Sequence, residues 1–275
     1  MGRKRIFGDP SRVGLGANFK KIRASDYFYI DKTPFIEHFL SDTVEVSLIC
    51  RPRRFGKSLN MDTLRCFLTD GEDNRELFKG LAVESSDVRG KANSAPVFYF
   101  DFKGLTAEGY RDAIFDMASV YLAPYCSRLP ESAFKNTLNG YLSRRARETD
   151  ALRLLTEAAY EATGKKPYIL IDEYDKLLLD ESNSASYAEI RKFLTYLFSA
   201  AFKDNPFLEK GLLTGVMRIS YEGLFSGLNN ISVYDVFNDG RYNEDFGITD
   251  EEAGELVELC SLNSGDLKEW YDGFS

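Results

Sequence analysis

A short strand-like segment that leads into a Gly-Lys-Ser tripeptide constrains the fold of this 275-residue chain more than any other feature. Residues 44–50 read as a strand, and Gly56, Lys57 and Ser58 then begin a helix. A loop that closes onto a helix start directs backbone N–H groups and the positive end of the helix dipole toward a phosphate, and Lys57 adds a charge. The Ser58 hydroxyl is a typical magnesium ligand in such loops. The pattern predicts a phosphate-binding loop, with an ordinary strand-loop-helix junction as the alternative.

The loop departs from the usual G-x-x-x-x-G-K-[ST] spelling, because Arg51 stands where the first glycine belongs. An arginine at this position requires an ordinary φ, and we expect its side chain to point outward from a remodelled loop. Arg53 and Arg54 carry the planar guanidinium that suits phosphate oxygens, and Arg54 is the preferred contact. The predicted nucleotide-binding set in the loop is Arg53, Arg54, Phe55, Gly56, Lys57, Ser58 and Leu59.

A second apolar strand ends in two adjacent carboxylates. Residues 167–173 read Pro-Tyr-Ile-Leu-Ile-Asp-Glu, which is how a buried parallel strand emerges at an active-site edge. In such a Walker B strand, Asp172 would hold magnesium through its water shell, and Glu173 would orient and deprotonate an attacking water. The alternative is an ordinary strand followed by a polar turn. Two such motifs in this order favour a nucleotide site over coincidence.

Three segments resemble the landmarks of the bacterial predicted AAA-ATPase (AAA-ATPase-like) family. These are Tyr-Ile-Asp-Lys-Thr at 29–33, Arg-Pro-Arg-Arg-Phe-Gly-Lys-Ser-Leu at 51–59 and Leu-Thr-Gly-Val-Met-Arg-Ile at 213–219, and the resemblance runs from about Phe19 to the C-terminus. It implies ATP and Mg²⁺ as ligands, and it makes Arg51 a usual residue of the loop. Longer members continue into a domain similar to PD-(D/E)XK nucleases, and no nuclease role is expected for these 275 residues.

Strands and helices alternate along the chain, which predicts an α/β fold. Strands are expected at about 44–50, 96–102, 167–172, 209–216 and 231–236, and helices at about 33–41, 58–69, 107–123, 131–147, 150–163 and 185–203. The count and order resemble the additional-strand division of P-loop NTPases. That resemblance implies a three-layer sandwich around a parallel sheet of order 5-1-4-3-2.

The same sheet order would place Thr214 between the two motif-bearing strands. Thr214 would then contact the lytic water or a phosphate oxygen, or else be a buried threonine bonded to backbone. Arg218 would reach the phosphates as a sensor arginine, or form a surface ion pair. In related ATPases the chain ahead of the loop strand wraps the base, which makes Tyr29 and Ile30 candidates for an adenine pocket. An aromatic residue there is also typical of a core.

Composition excludes several other classes of protein. A net charge of −8 argues against an extended nucleic-acid surface, and the basic run Arg144, Arg145 and Arg147 is typical of a solvated helix face. One histidine and four scattered cysteines support neither a His-rich metal site nor a zinc or disulfide framework. No segment has the length and apolarity of a membrane span, so a cytoplasmic location is expected.

The domain boundary is predicted near Gly240. Residues 1–240 would form the nucleotide-binding domain, and residues 241–275 would begin a helical lid or connector whose first helix starts at a capping box at Thr249. The resulting hypothesis is a magnesium-dependent ATPase in which Lys57 and the metal spread the charge of the γ-phosphate. The alternative is a nucleotide-gated interaction module with negligible turnover. A protein partner or a homo-oligomer is compatible with either.

Overall fold

A computed structural model describes residues 5–13, 16, 18–217, 224–225, 227–237 and 240–260. Its centre is a five-stranded parallel sheet, preceded by a small two-stranded antiparallel sheet. The strands in chain order are β1 (Ile6–Phe7), β2 (Tyr29–Ile30), β3 (Val46–Cys50), β4 (Val97–Asp101), β5 (Tyr168–Asp172), β6 (Lys210–Gly215) and β7 (Ile231–Tyr234).

Most of the helices lie between these strands, as a parallel sheet requires, and the last helix follows β7. They are α1 (Phe19–Ala24), α2 (Pro34–Ser41), α3 (Lys57–Leu68), α4 (Tyr110–Arg128), α5 (Ala133–Leu142), α6 (Ala151–Thr163), α7 (Lys176–Asp180), α8 (Tyr187–Phe202) and α9 (Asp250–Cys260). Among the residues that the structure describes, no helix is long and apolar enough to cross a bilayer.

The sheet order is β4-β5-β6-β3-β7, with every neighbouring pair parallel. Numbering these five strands along the chain and starting at the β7 edge gives 5-1-4-3-2. β6 therefore lies between β3 and β5, so the carboxyl ends of three strands meet where the chain leaves Cys50, Asp172 and Gly215. Ligands of open α/β sheets bind at this edge.

Alternate residues of the central strands enter two separate cores. Leu48 and Leu213 pack with helices α4 to α8, whereas Ile49 and Leu212 pack with α1, α2 and α3 on the other face. Every residue of β3 and of β5 is buried, as expected for strands covered on both sides. The predicted α/β fold with helices on both faces of a parallel sheet is confirmed.

The observed element bounds follow the expected ones closely at the strands and less closely at the helix ends. α5 ends at Leu142 rather than 147, and α4 runs on to Arg128 through Pro124. The two-stranded antiparallel sheet and the short helices α1 and α7 were not expected from the sequence. Asn18 is the N-cap of α1, and its side chain accepts the Lys21 amide, a local cap on a helix too short for a clear apolar period.

The segment after Gly240 packs into the core that α1, α2 and α3 form with one face of the sheet. Tyr242 and Phe246 are buried, and both rings contact Phe35 of α2. α9 begins at the predicted capping box, since the Thr249 amide donates to the Glu252 carboxylate at 2.8 Å and the Glu252 amide donates to the Thr249 hydroxyl at 3.2 Å. The boundary at Gly240 itself stays a prediction.

Candidate functional site

The loop between β3 and α3 is buried at its two ends and exposed between them. Residues 52–56 are all exposed, whereas Arg51 and Lys57 are only 3% and 5% exposed. The backbone reaches the helix through Arg54 at φ 70° and Gly56 at φ 77°, the left-handed region. The first amides of the twelve-residue α3 therefore follow an exposed turn, which is the arrangement that binds anions.

Lys57 turns back across this loop. Its Nζ donates to the carbonyl oxygens of Arg51 at 2.9 Å and Pro52 at 3.0 Å. An ammonium has three donors, so one remains for a ligand oxygen. Burial lowers the pKa of Lys57, and the nearby carboxylates of Glu173 and Asp172 oppose that shift.

Arg51 is an anchor of the loop and points into the protein. Its Nη1 donates to the carbonyl oxygens of Cys50 at 3.0 Å and Tyr234 at 3.1 Å, and its guanidinium lies 5.6 Å from the ring centroid of Phe246. The expected ordinary φ is confirmed, since Arg51 is not among the residues with positive φ. The expected outward side chain is wrong, because carbonyls at the exits of β3 and β7 satisfy the guanidinium inside the fold.

A hydrogen-bonded group of side chains lies opposite the loop, at the exits of β5 and β6. The Thr214 hydroxyl donates to Asp172 Oδ1 at 2.5 Å, and the Glu173 amide donates to the same oxygen at 3.0 Å. The hydroxyl of Tyr99 on β4 donates to the other oxygen of Asp172 at 3.3 Å. Thr214 is thus fixed on the carboxylate of the neighbouring strand, a partner that neither sequence interpretation named.

Glu173 is a half-buried carboxylate that directly follows β5. Burial raises its pKa, and the charges of Asp172 and Asp175 raise it further, while Lys57 and Arg53 oppose the shift. Its backbone has φ 55°, which is uncommon outside glycine. Strained backbone of this kind clusters at functional sites.

Asp175 is a site residue that the sequence interpretation missed. It is fully buried, and one oxygen accepts the amides of both Val216 and Met217 at 2.8 Å. The Tyr174 hydroxyl donates to the Met217 carbonyl at 2.8 Å. A Cβ on Gly215 would lie 2.5 Å from the Tyr174 ring, so glycine is required there. The sequence did offer one signal for this residue, since Asp175 is an aspartate three positions after Asp172, where β5 ends.

The segment after Gly240 reaches the loop and the first turn of α3. The Gly247 amide donates to the Phe55 carbonyl at 3.0 Å, and Asn60 Nδ2 donates to the Asp245 carbonyl at 2.7 Å. His38 Nδ1 lies 2.8 Å from the Asp245 carboxylate, whose hydrogen bond raises the pKa of His38. The tip of the loop is therefore held by chain from the far end of the domain.

A further link runs from the segment at 29–33. Lys32 Nζ donates to the Glu244 carbonyl at 2.6 Å and to the Glu252 carboxylate at 2.7 Å. Asp31 accepts the Thr33 hydroxyl at 2.6 Å and the Ala82 amide at 2.8 Å. The Tyr-Ile-Asp-Lys-Thr landmark thus joins separate parts of the fold, through buried hydrogen bonds of Asp31 and less buried ones of Lys32.

The two candidate adenine-pocket residues lie in this same segment. Tyr29 is 3% exposed, and its ring packs edge-on against Phe19 with centroids 5.5 Å apart. Ile30 is half-buried and pairs with Ile6 in the two-stranded antiparallel sheet. The structure places Tyr29 in the core, and contact of either residue with a base stays a prediction. Arg218, the candidate sensor arginine, lies outside the described residues.

A sequence profile described as "Predicted AAA-ATPase" matches residues 12–225, which is most of the chain. The chain belongs to the predicted AAA-ATPase family. The match confirms the resemblance stated from the three sequence landmarks.

A curated relative of this AAA-ATPase-like chain is an "Uncharacterized protein in vnfD 5'region" of Azotobacter chroococcum mcd 1. It is 32% identical over 261 residues, which cover 94% of this chain and 47% of the relative. The chain thus spans about half the length of the curated relative that it matches.

The oxygen ligands at the edge of this AAA-ATPase-like domain suit magnesium. Ser58 is half-buried in the first turn of α3, and Asp172 keeps one oxygen whose contact to Tyr99 is long, at 3.3 Å. Within the described part of the chain, no group of three or more His, Cys, Asp or Glu side chains could hold a metal. Magnesium usually takes one or two protein oxygens and completes its shell with water and phosphate, so this pair fits it.

Proposed function

We propose that this chain binds ATP with magnesium at the carboxyl edge of the sheet and hydrolyses it slowly to drive a conformational switch. The observation that carries the proposal is the buried Lys57 ammonium at the base of an exposed loop, where its Nζ donates to the carbonyls of Arg51 and Pro52. The nearby carboxylates of Glu173 and Asp172 oppose the lowering of its pKa by burial. Membership of the predicted AAA-ATPase family supports nucleotide as the ligand.

Binding would use the exposed loop and the helix that follows it. The amides at the start of α3 and the third donor of Lys57 would meet the β- and γ-phosphates. Arg53 and Arg54, both exposed in the loop, would add charge-assisted contacts. Ser58 and Asp172 would hold magnesium, which supplies charge neutralisation on the phosphate oxygens.

Hydrolysis would be an in-line attack of water on the γ-phosphorus. Glu173 would accept a proton from that water as the new P–O bond forms and the bond to the ADP oxygen breaks. A carboxylate whose pKa is raised by burial is a better base at neutral pH than an exposed one. Thr214 would act through Asp172, because its hydroxyl is donated to that carboxylate.

A second candidate function is a nucleotide-gated interaction module with negligible turnover. It is favoured by the exposure of all five residues at 52–56, since efficient phosphoryl transfer requires that bulk water be excluded from around the reacting groups. In that case ATP would be a conformational signal and Glu173 would matter little.

Two substitutions test the proposal. Lys57→Ala should weaken binding of a fluorescent ATP analogue with magnesium roughly 10–100-fold, because a charge-assisted contact is lost. Glu173→Gln should retain binding and lower phosphate release by about 10²–10⁴-fold, because an amide cannot accept the proton. Lys203→Ala and Glu161→Gln, at exposed positions away from the edge, are matched controls.

The outcomes separate the two candidate functions. If the parent binds ATP but releases phosphate no faster than Glu173→Gln, the switch without turnover is supported. If Lys57→Ala binds and hydrolyses ATP like the parent while remaining folded, the site assignment is wrong.

A further inference from the structure

The two oxygens of the buried Asp172 carboxylate are occupied to different extents. Asp172 is 2% exposed, and its Oδ1 accepts both the Thr214 hydroxyl at 2.5 Å and the Glu173 amide at 3.0 Å. Its Oδ2 accepts the Tyr99 hydroxyl at 3.3 Å, and no second donor from the described residues reaches it. Each carboxylate oxygen has two lone pairs. Oδ1 therefore has no acceptor site left for a ligand, whereas Oδ2 has one.

Both donors on Oδ1 are fixed by the sheet. β5 and β6 are parallel, with Ile171 opposite Leu213, so Asp172 and Thr214 are the next residues along two adjacent strands. Thr214 is 1% exposed and has no solvent to turn toward. The second donor, the Glu173 amide, belongs to the backbone and has no rotamers. Oδ1 thus stays occupied for as long as the sheet is formed.

The contact on Oδ2 is the weakest of the three. The 3.3 Å between the Tyr99 hydroxyl and Oδ2 is longer than an ordinary O–H···O hydrogen bond. Burial and the charge of Asp172 raise the pKa of Tyr99, so its hydroxyl stays protonated and can only donate to the carboxylate. A ligand at Oδ2 would compete with one long contact at most. A ligand at Oδ1 would have to displace a short hydrogen bond or a backbone amide.

Magnesium and calcium differ in what they require of a carboxylate. Calcium takes about six to eight oxygen ligands and often binds a carboxylate through both oxygens, whereas magnesium keeps several waters and uses one or two carboxylates. A two-oxygen contact needs a free lone pair on each oxygen, and Asp172 has none on Oδ1. Among the described residues, no group of three or more His, Cys, Asp or Glu side chains offers a fuller set of ligands. The arrangement therefore suits the ion that needs less from the protein.

We infer that Thr214 is a positioning residue that sets the metal preference of the site. The inference rests on the proposed function, since it assumes that nucleotide brings a divalent cation to Asp172. Together with the Glu173 amide, Thr214 fills Oδ1 and limits Asp172 to contact through Oδ2, with the ion or with one of its waters. Contact through one oxygen favours hydrated magnesium and disfavours calcium.

The test measures equilibrium binding of a fluorescent ATP analogue to the whole chain, once in excess magnesium and once in excess calcium. The readout is the ratio of the two dissociation constants, which requires no turnover. The parent should bind more tightly with magnesium. Thr214→Val removes the hydroxyl donor and keeps the shape of the side chain, so Oδ1 regains a free acceptor site. The ratio should shift toward calcium by roughly tenfold, the scale of one hydrogen bond to a charged group.

Three further variants separate the occupancy of Oδ1 from a general loosening of Asp172. Tyr99→Phe removes the donor on Oδ2 and leaves Oδ1 filled, so the ratio should stay within about twofold of the parent. Thr214→Ser keeps a hydroxyl and should keep the parent ratio. Thr156→Val is the matched control, since Thr156 is also fully buried and its hydroxyl donates to the Arg153 carbonyl within α6, outside the site.

Circular dichroism checks that each variant is folded, and Thr214→Ala, which also lacks the donor, replaces Thr214→Val if that variant does not fold. The inference is overturned if the parent shows no preference for magnesium, if loss of the Thr214 hydroxyl leaves the ratio unchanged, or if Tyr99→Phe shifts it equally. In each of these cases the parent still binds nucleotide with magnesium. A parent that binds nucleotide with neither ion would instead refute the proposed function and this inference together, so the two failures are distinguishable.

Discussion

The two sides of the proposed nucleotide site are held in different ways. On one side, the loop at 52–56 is exposed and is fixed mainly at its ends, by Arg51, by Lys57 and by one contact at Phe55. On the other side, buried side chains join the exits of β5 and β6. The Thr214 hydroxyl donates to Asp172, and the Asp175 carboxylate accepts two backbone amides from the segment that follows β6. The loop side has freedom that the acid side lacks.

The difference suggests a division of labour within the site. A preorganised set of carboxylates costs little to reorganise when charge develops, which favours precise placement of a metal and a base. A loop that is anchored mainly at its ends can instead adjust to a ligand. In the proposed function, nucleotide would therefore order the loop at 52–56 and leave the backbone at 172–175 and 214–217 nearly unchanged.

The largest expected effect follows from replacing the anchor at the start of the loop. Arg51→Gly restores the usual first glycine of the motif, yet it should lower the free energy of unfolding by about 3 kcal/mol, because charged hydrogen bonds to two buried carbonyls are lost. Urea denaturation would measure the change. Arg53→Gly, an exposed residue of the same loop, should cost far less. If Arg51→Gly left the free energy of unfolding unchanged, the loop would not be held at this end.

A smaller loss is expected on the acid side. Asp175→Asn keeps the shape but leaves a buried amide donor without an acceptor and removes the charge that holds the Val216 and Met217 amides. We expect about 2 kcal/mol of destabilisation in the same denaturation experiment. Asp87→Asn, at an exposed position, should stay within about 0.5 kcal/mol of the parent. If both variants match the parent, the two strand exits are not joined as described.

The smallest effect concerns the segment that contacts the loop tip. Because the folded-state pKa of His38 is raised, protonation contributes stability that is complete below about pH 6.5 and is lost as pH rises through the folded pKa. His38 is 42% exposed, so solvent screening keeps the contribution below about 1 kcal/mol. Thermal unfolding at pH 5.5 to 8.5 should show the parent losing stability relative to His38→Gln. If the stability of both proteins changed in parallel over this pH range, the proposed contribution of protonated His38 would be contradicted.

The sheet could be predicted from the sequence because the patterns that identify each strand lie within a few consecutive residues. β3 and β5 are short, largely apolar runs bounded by polar residues. Asp172 and Glu173 lie at the end of β5, and Lys57 follows β3 after a six-residue loop. A parallel sheet brings such ends together whatever the details of packing. Helix ends were predicted less well, as at α5, because an amphipathic pattern continues past the last hydrogen-bonded turn.

The orientation of Arg51 could not be predicted in the same way. Its burial depends on the Tyr234 carbonyl, 183 positions away, and no local pattern identifies a distant acceptor. The Asp175 interaction likewise joins residues 41 and 42 positions apart, across the exits of two strands. Thr214 was expected either on a ligand or on backbone, whereas its partner is a side chain that becomes adjacent only once the sheet has formed.

The position of β3 in the sheet also affects how the protein is made. Both sheet neighbours of β3 come from much later in the chain, at β6 and β7. At typical rates of synthesis, the ribosome needs on the order of 10–40 s to go from Arg51 to Tyr234, and pairings so distant in sequence form slowly. Until the chain has been made as far as β6 and β7, β3 has neither of its sheet neighbours. The part of the sheet that carries the loop at 51–56 is therefore among the last parts of the domain whose strand pairings can form.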